Sequence, residues 1–304
     1  MDALIQSLVQ ANFAPERIAP QAPMAQYTTL RIGGPAEVMV NIHSADEIAV
    51  ALRAAKQADA PVTIIGNGSN LLVRDGGIRG LVLRIAGGLN AIRREGDCLL
   101  VQAGASLAAV AAFARDEGLS GMAELGGIPG TVGGGVLMNA GAYGAELAQL
   151  VTQAKGVSLS DGRRVVYPAD RLDFAYRHSA LMDAGVVITQ ATLALTPGDP
   201  EAIRARMEEC AKARREKQPL TLPSAGSTFK RPEGHFAAKL IDDCGLRGFT
   251  VGGAQVSEKH AGFIVNIGGA TARDMLELMR QVEQRVFEQT GVQLEPEVRI
   301  LGED

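Results

Sequence analysis

The spacing of apolar residues along the first part of the chain predicts alternating helices and strands. A short helix is expected over residues 3–12. The apolar runs AEVMV at 36–40 and VTII at 62–65 predict strands. Between them, Ser44 and Glu47 have the spacing of a capping box, so a helix is expected to begin there. These elements together predict a β-α-β unit.

The middle of the chain, residues 81–196, is expected to be dominated by strands. The predicted elements are strands at 81–85, 98–103 and 186–195, a hairpin over 150–167, and one helix from Ser106 to about Glu117. The hairpin is indicated by Asp161-Gly162 between two apolar runs, and the helix by a serine at its cap position. This region therefore has the pattern of an α+β domain.

Helices and short strands alternate again in the last third of the chain. A charged helix is expected over 201–217, a short helix over 237–243 and a strand over 261–266. The last helix is expected to start at a Thr271 cap, because apolar residues follow at helical spacing. We therefore predict three domains, at 1–80, 81–198 and 199–304.

Composition narrows the class of protein. The chain has 304 residues, of which 46% are hydrophobic and 21% charged, with a formal net charge of -4. These values are typical of a folded protein, and they provide neither the basic field nor the aromatic platform of a nucleic-acid binder. The N-terminus lacks a basic leader, and no apolar run approaches the roughly 18 residues of a membrane span. We expect a cytoplasmic protein without a membrane or obligate protein partner.

Metal and disulfide chemistry are not indicated. Cys98, Cys210 and Cys244 are odd in number and far apart, and the four histidines show no metal-ligand spacing. We therefore expect free thiols and no metal site.

The stretch Glu124–Glu146, ELGGIPGTVGGGVLMNAGAYGAE, contains eight glycines and no charge between its two terminal acids. So much glycine predicts a loop rather than an ordinary helix, with backbone N–H groups free to approach an anion such as phosphate. A flexible linker is the alternative. It is disfavoured by the apolar residues within the stretch, because flexible linkers are usually polar and serine-rich.

A second glycine-rich turn, Gly66-Asn-Gly-Ser-Asn70, follows the predicted strand at 62–65. It lies at the carboxyl end of that strand, where open α/β sheets bind ligands. A tight structural turn explains this sequence equally well. If both loops bind phosphate, they indicate a dinucleotide, although the chain has neither GxxxxGK[ST] nor a GxGxxG that opens a helix after a strand.

Three polar residues stand beside glycine, proline or aromatic residues in unusual local sequences: Arg177, Ser227 and Glu297. Each has a structural explanation when taken alone. Arg177 is suited to a hairpin cap, Ser227 to a turn hydroxyl, and Glu297 to an ion pair with Arg299.

The glycine-rich loops and these residues together resemble one family, the FAD-dependent UDP-N-acetylenolpyruvoylglucosamine reductases of bacterial peptidoglycan (cell wall) synthesis, the MurB type. The resemblance runs from about Tyr27 onward. Its motifs are TLRIGG at 29–34, GNGSNLL at 66–72, GIPGTVG at 127–133 with NAGAY at 139–143, YRHS at 176–179, AGSTFK at 225–230 and EPEVR at 295–299. The compact length implies the short subclass without an inserted lid loop.

The resemblance implies a vanillyl-alcohol-oxidase-like (PCMH-type) FAD-binding fold in two parts and a C-terminal α/β substrate-binding domain. It also implies an oxidoreductase in which NADPH reduces FAD, and hydride then passes by way of the flavin N5 to the enolpyruvyl UDP-sugar. Two alternatives remain: another FAD enzyme on the same fold, and a flavin- or nucleotide-binding protein without turnover.

The resemblance also implies roles for individual residues. Arg177 and Glu297 are expected to stabilise the enolate and Ser227 to donate the proton, with Glu297 in a dry pocket that favours its acid form. The expected FAD-binding residues are Gly66, Asn67, Gly68, Ser69, Asn70, Leu71, Ile128, Pro129, Gly130, Thr131, Gly133, Gly134, Asn139, Gly141 and Ala142. The expected substrate-binding residues are Tyr176, Lys217, Lys230, Arg231 and Arg299. Arg231 departs from many longer relatives, which carry Asn at this place.

Overall fold

The computed structural model describes all residues, Met1–Asp304, and they form two compact units. Unit 1 comprises Met1–Pro20, Val38–Asn67 and Gly80–Ala213, and unit 2 comprises Gln21–Glu37, Gly68–Arg79 and Arg214–Asp304. Each unit has its own hydrophobic core. The division into domains ending at 80 and 198 stays a prediction.

Most predicted helices are present with nearly the expected bounds. The helices are α1 (Asp2–Gln10), α2 (Ala45–Gln57), α3 (Leu107–Asp116), α4 (Val132–Leu137), α5 (Pro200–Lys217), α6 (Ala237–Asp243) and α7 (Ala272–Thr290). Ser44, Ser106 and Thr271 cap α2, α3 and α7 with their side-chain oxygens, as the sequence predicts.

Strands are more numerous than expected. They are β1 (Ile18–Pro23), β2 (Pro35–Asn41), β3 (Val62–Ile65), β4 (Leu71–Val73), β5 (Ile78–Arg84), β6 (Ile92–Glu95), β7 (Cys98–Gln102), β8 (Leu119–Ser120), β9 (Gly141–Ala142), β10 (Ala145–Glu146), β11 (Val151–Ser158), β12 (Arg164–Pro168), β13 (Val186–Ala194), β14 (Thr196–Pro197), β15 (Thr250–Val251), β16 (Ala254–Val256), β17 (Ile264–Asn266) and β18 (Arg299–Leu301). Several of the missed strands have only two or three residues, too few to show an alternating pattern.

The predicted β-α-β unit is modified by a later strand. The sheet order is β1-β2-β5-β3, so β5 lies between the two strands that flank α2. β3 and β5 are parallel, with Val62 opposite Leu81. The two predicted strands thus share one sheet with a third strand inserted between them, which local sequence does not reveal.

The predicted hairpin is confirmed within a larger antiparallel sheet of unit 1. The order of this sheet is β12-β11-β13-β7-β6. β11 lies between β12 and β13, and its buried side chains Val151, Ala154 and Val157 alternate with more exposed ones. One face of the sheet thus contributes to the core, as expected for an antiparallel sheet.

The glycine-rich stretch contains a helix, which corrects the prediction of a loop. α4 begins after Thr131, whose hydroxyl accepts a hydrogen bond from Gly134 N at 3.4 Å. A Cβ at Gly133 would lie 2.9 Å from Ala103 Cβ, and one at Gly135 would lie 2.8 Å from Leu147 Cδ1. Close packing against these side chains explains why glycine occupies helical positions here, despite its low helix propensity. Residues 81–196 therefore contain two helices instead of one.

Unit 2 combines α6 and α7 with the antiparallel sheet β15-β16-β17 and the parallel pair β4 and β18. The apolar stripe of α7, including Met275, Leu278 and Val282, is buried in the core of this unit. Asp75 accepts hydrogen bonds from the Ala272 and Arg273 N–H groups at 2.8 and 3.0 Å, and so supplements the Thr271 cap. No helix of the chain has the length and apolarity needed to cross a bilayer.

A hydrogen-bonded ion pair joins two segments of unit 1. Arg17 donates to both Glu47 carboxylate oxygens, at 2.9 and 2.6 Å, and the same carboxylate accepts from His43 N at 2.7 Å. Burial raises the pKa of Glu47, but the bonds from Arg17 and His43 outweigh it, so the pKa lies below its usual value. The ionised carboxylate thus stabilises the fold.

Glu47→Gln is expected to lower the free energy of unfolding by about 2 kcal/mol at neutral pH, because it removes a charge-assisted bidentate contact. Since the folded-state pKa of Glu47 is lowered, this contribution is present above the unfolded-state pKa and is lost as pH falls through the folded-state pKa. The deficit of the variant should therefore shrink on acidification, as measured by urea unfolding at several pH values.

Asp46→Asn is the matched control, because Asp46 pairs with Arg164 on the exposed surface. It should cost no more than about 1 kcal/mol. An equal deficit for Glu47→Gln at neutral and acidic pH would contradict the assigned role of the ionised carboxylate.

Candidate active site

The two glycine-rich loops meet in unit 1. Asn67 Nδ2 donates to Pro129 O at 2.8 Å. A Cβ added to Gly66 would lie 2.6 Å from Thr131 Oγ1, which is closer than real contacts allow. The predicted cofactor residues at the start of one loop and in the middle of the other are therefore neighbours.

Backbone donors in these loops lack protein acceptors. None of the N–H groups of residues 66–70 donates a hydrogen bond to another protein group, nor do those of Gly130 and Thr131. Unpaired N–H groups in glycine-rich turns are suited to bind anionic oxygens, because glycine allows close approach.

Gly134 is a glycine that protein packing does not explain. It has an ordinary φ and is exposed, and the nearest atom to an added Cβ is Thr131 Oγ1 at 3.6 Å, an ordinary contact. Its neighbours Gly133 and Gly135 are both required by close packing. A bound group that lies against the first turn of α4 would account for glycine at this position.

Gly68, Ser69, Asn70 and Leu71 belong to unit 2. Gly68 has a φ of 63°, and its carbonyl accepts from Thr29 N at 3.2 Å. The Thr29 hydroxyl is buried without a hydrogen-bond partner. A buried hydroxyl without a partner is costly unless a ligand or water satisfies it, so Thr29 is a candidate binding residue. Thr29 opens the motif TLRIGG, but nothing in the sequence around it indicates a binding role.

Ile128 and the pair Gly141–Ala142 lie near the two ends of the glycine-rich stretch. Ile128 is half-buried and follows a 3₁₀ turn, while Gly141 and Ala142 form β9. β9 pairs with β10 through a two-residue turn, in which Tyr143 and Gly144 have φ values of 53° and 85°. This is the backbone pattern of a tight hairpin.

Asn139 is buried, with 1% of its surface exposed, and its side chain bonds within the protein. Nδ2 donates to Ala175 O at 3.1 Å, and Oδ1 accepts from Ala148 N at 2.9 Å. A direct role of Asn139 in binding FAD stays a prediction, and its observed partners give its side chain a structural role.

Arg177 lies in a tight turn of unit 1. Ala175 and His178 exchange two backbone hydrogen bonds of 3.1 Å, so Tyr176 and Arg177 form the tip of the turn. Arg177 has a φ of 54°, which is uncommon for a residue with a side chain. Its guanidinium carbon lies 5.0 Å from the centre of the Tyr176 ring, and Tyr176 is 52% exposed.

Ser227 and Glu297 are brought together in unit 2. The N–H of Glu297 donates to the carbonyl of Thr228, the residue after Ser227, at 2.8 Å. Phe229 and Pro296 form an antiparallel bridge beside this bond. Ser227 is exposed, Glu297 is half-buried and Thr228 is buried, with its hydroxyl accepting from Ile264 N at 3.0 Å. The two motifs AGSTFK and EPEVR thus form one strand-like pair.

Asn70 connects the first glycine-rich loop to this pair. Its side chain donates to Glu297 O at 3.1 Å, and its carbonyl accepts from Arg299 N at 3.0 Å. β4 then continues in parallel with β18, with Leu71 opposite Arg299. A predicted cofactor residue therefore fixes the backbone on both sides of Val298.

The predicted substrate-binding cations differ in their surroundings. Lys217 is exposed at the end of α5, and Arg299 is exposed at the start of β18. Lys230 pairs with Glu295 at 3.2 Å, and the Arg231 guanidinium lies 3.8 Å from the centre of the Phe236 ring. Their roles toward a substrate stay predictions.

Comparison with known proteins agrees with this arrangement. A model described as the FAD binding domain matches residues 36–167, and one described as the UDP-N-acetylenolpyruvoylglucosamine reductase C-terminal domain matches 218–301. A UDP-N-acetylenolpyruvoylglucosamine reductase of Pediococcus pentosaceus is 48% identical over 98% of this chain and 99% of its own. The chain belongs to the UDP-N-acetylenolpyruvoylglucosamine reductase family.

Other members of the family are similar to this chain along nearly their whole length. The reductase of Agathobacter rectalis is 50% identical over 92% of this chain and 93% of its own. The crystal structure of the reductase from Thermus caldophilus has a TM-score of 0.79 at 38% identity, covering 91% of this chain and 97% of that one. The predicted fold class, an FAD-binding part followed by a C-terminal reductase domain, is confirmed.

FAD is the cofactor of this reductase family member, and the residues present fit it. In unit 1, the unpaired N–H groups of Gly66, Asn67, Gly130 and Thr131 provide donors for a diphosphate. Gly134, which protein packing does not require, leaves space for a closely bound group. These features support the prediction that both loops bind FAD.

Gly134→Ala is expected to leave stability unchanged or to raise it, because alanine is favoured over glycine in a helix by about 1 kcal/mol. Its affinity for FAD should fall roughly tenfold or more, since the methyl group would occupy space reserved for the cofactor. Thermal unfolding of the apoprotein and FAD titration by flavin fluorescence measure the two effects separately.

Gly135→Ala provides the contrast, because its Cβ would meet Leu147 and should lower stability. Unchanged FAD affinity of Gly134→Ala would show that the cofactor does not approach this turn.

Proposed function

We propose that this chain reduces UDP-N-acetylglucosamine enolpyruvate to UDP-N-acetylmuramate, with NADPH as the reductant, in peptidoglycan biosynthesis. The observation that carries the proposal is the identity of 48% with a UDP-N-acetylenolpyruvoylglucosamine reductase over 98% of the chain. The motifs quoted for the proposed active-site residues lie within this shared length. We further propose a cytoplasmic location, where NADPH and the UDP-sugar would meet the enzyme.

When bound, FAD would supply the hydride chemistry, by which hydride from NADPH reaches one carbon of the enolpyruvyl double bond. The electron pair of that double bond then moves toward the neighbouring carbon and its carboxylate. The protein must stabilise this negative charge and provide one proton to the neighbouring carbon, which completes the lactyl ether.

Arg177 is proposed to stabilise the developing enolate. A guanidinium presents a planar fork of donors that matches the two oxygens of a carboxylate, and its charge is permanent. The turn that holds Arg177 supports this role, because a fixed backbone limits the orientations of the side chain. Tyr176 is proposed to contact the substrate beside it.

Ser227 is proposed to donate the proton, and Glu297 to assist at the enolate. A serine hydroxyl is a weak acid, but a carbanion is basic enough to take its proton, and the hydroxyl is then restored from solvent. Glu297 assists only if it is protonated or positions a donor, because an ionised carboxylate would repel the developing charge. Their adjacent backbones support a joint role.

The remaining cations are proposed to bind the anionic groups of the UDP-sugar. Lys217, Lys230, Arg231 and Arg299 are exposed or half-buried, as residues that contact a charged ligand must be. The pairing of Lys230 with Glu295 would have to loosen if its ammonium group binds phosphate.

A two-step spectroscopic titration tests the function. NADPH should bleach the oxidised flavin of the anaerobic protein, and the enolpyruvyl UDP-sugar should restore its colour. A preparation that takes up no FAD would overturn the proposal, and so would reduced protein that the sugar does not reoxidise.

Ser227→Ala should separate the two half-reactions. Reduction of the flavin by NADPH should proceed at the rate of the unsubstituted protein, whereas reoxidation by the sugar should slow by about 10²- to 10⁴-fold, the usual contribution of general acid catalysis. Stopped-flow absorbance measures both rates. Ser224→Ala is the control, because Ser224 lies in the same segment, pairs with Val265 only through its backbone and has no proposed role. Equal loss of both half-reactions in Ser227→Ala would contradict the role of the hydroxyl.

A further inference from the structure

We infer that Ser179 and Asn139 are positioning residues for Arg177, holding its turn against residues 137–139 at the end of α4. This inference rests on the proposed function, because it requires Arg177 to act at the substrate. Neither residue needs to contact the substrate itself.

The turn at Arg177 needs outside support. Two backbone hydrogen bonds close it between Ala175 and His178, but Arg177 has a φ of 54°. Such a conformation is unfavourable for a residue with a side chain, and it persists only where surrounding contacts hold it. Side-chain hydrogen bonds at the base of the turn supply such contacts.

Two side chains provide that support, one on each side of the tip. Before the tip, Asn139 Nδ2 donates to Ala175 O at 3.1 Å. After the tip, Ser179 Oγ donates to Leu137 O at 2.8 Å. Residues 175 and 179 are thus both tied to the three-residue segment 137–139, at the end of α4.

Burial makes these two bonds strong determinants of geometry. Ser179 is fully buried and Asn139 is 1% exposed, so water does not replace a lost partner. Asn139 also has a φ of 43°, and its Oδ1 accepts from Ala148 N, which orients the amide. Asparagine is well suited to this place, because it tolerates the left-handed conformation and offers both a donor and an acceptor.

The consequence concerns the position of the guanidinium. Loss of either bond would let the turn shift or change its backbone conformation, and a displacement of about 1 Å at a catalytic group reduces rates by up to about 100-fold. The effect should fall on the step that uses Arg177, reoxidation by the enolpyruvyl sugar. Flavin reduction by NADPH should be spared in Ser179→Ala, because Ser179 is not among the predicted FAD-binding residues.

The test uses FAD-loaded Ser179→Ala and Asn139→Gly, each alone and combined with Arg177→Ala. Glycine at position 139 accepts positive φ, so that variant removes the side-chain bonds without adding backbone strain. In protein that retains Arg177, each single variant should lower the limiting rate at which the sugar reoxidises the flavin by about 10- to 100-fold. When Arg177 is already alanine, the same substitutions should cause little further slowing, because they act through Arg177.

Ser160→Ala is the matched control, since it removes an exposed hydroxyl that bonds only to Ser158 in the same unit. It should leave both half-reactions unchanged. If Ser179→Ala does not fold, Ser179→Cys keeps a side chain of similar size with a weaker donor, and the same comparison applies to it.

The outcomes separate the inference from the proposed function. If Ser179→Ala and Asn139→Gly leave sugar reoxidation unchanged, or slow it equally with and without Arg177, the positioning role is overturned. If the sugar reoxidises the flavin of Arg177→Ala at the normal rate, the proposed role of Arg177 is overturned instead. If the substitutions at Ser179 and Asn139 slow flavin reoxidation only when Arg177 is present, the result supports both the positioning role and the proposed role of Arg177.

Discussion

The close approach of Gly66 to Thr131 is the constraint on which the cofactor-binding part of unit 1 depends. A side chain at position 66 would collide with the Thr131 hydroxyl, and the same hydroxyl caps α4. The Asn67 side chain fixes the loops together through Pro129. Two glycine-rich segments that lie far apart in sequence thereby present their unpaired N–H groups from adjoining backbone. Glycine provides close approach here rather than flexibility.

In unit 2, the backbone also connects cofactor-type residues to catalytic candidates. Asn70 bonds to the carbonyl of Glu297, and Glu297 bonds through its N–H to the carbonyl of Thr228. These contacts join the motifs GNGSNLL, EPEVR and AGSTFK, which the resemblance had identified separately. Rigid backbone pairing of this kind holds reacting groups more precisely than surface loops do. The candidate proton donor and the candidate acid therefore share one framework.

Local sequence predicted much of the fold because caps and apolar spacing act over a few residues. α6, α7 and the hairpin β11–β12 are examples, and their bounds nearly match the expectation. The helical state of Val132–Leu137 escaped prediction, since tertiary packing around Gly133 and Gly135 overrides propensity. The motifs identified Arg177, Ser227 and Glu297 as candidates, but the burial and partners of Ser179 and Thr29 depend on distant residues. Such roles become visible only when the chain is folded.

The pairing of β4 with β18 has a consequence for the order in which the chain folds. These strands are distant in sequence, and the neighbouring ion pair joins Arg74 to Asp304, 230 positions later. During synthesis, the segment that contains Leu72 must wait for almost the whole chain before its partner strand emerges. Contacts between such distant residues slow folding and leave apolar surface exposed for longer. The core of unit 2 can thus be completed only after β18 has emerged, whereas most of unit 1 has its residues available earlier.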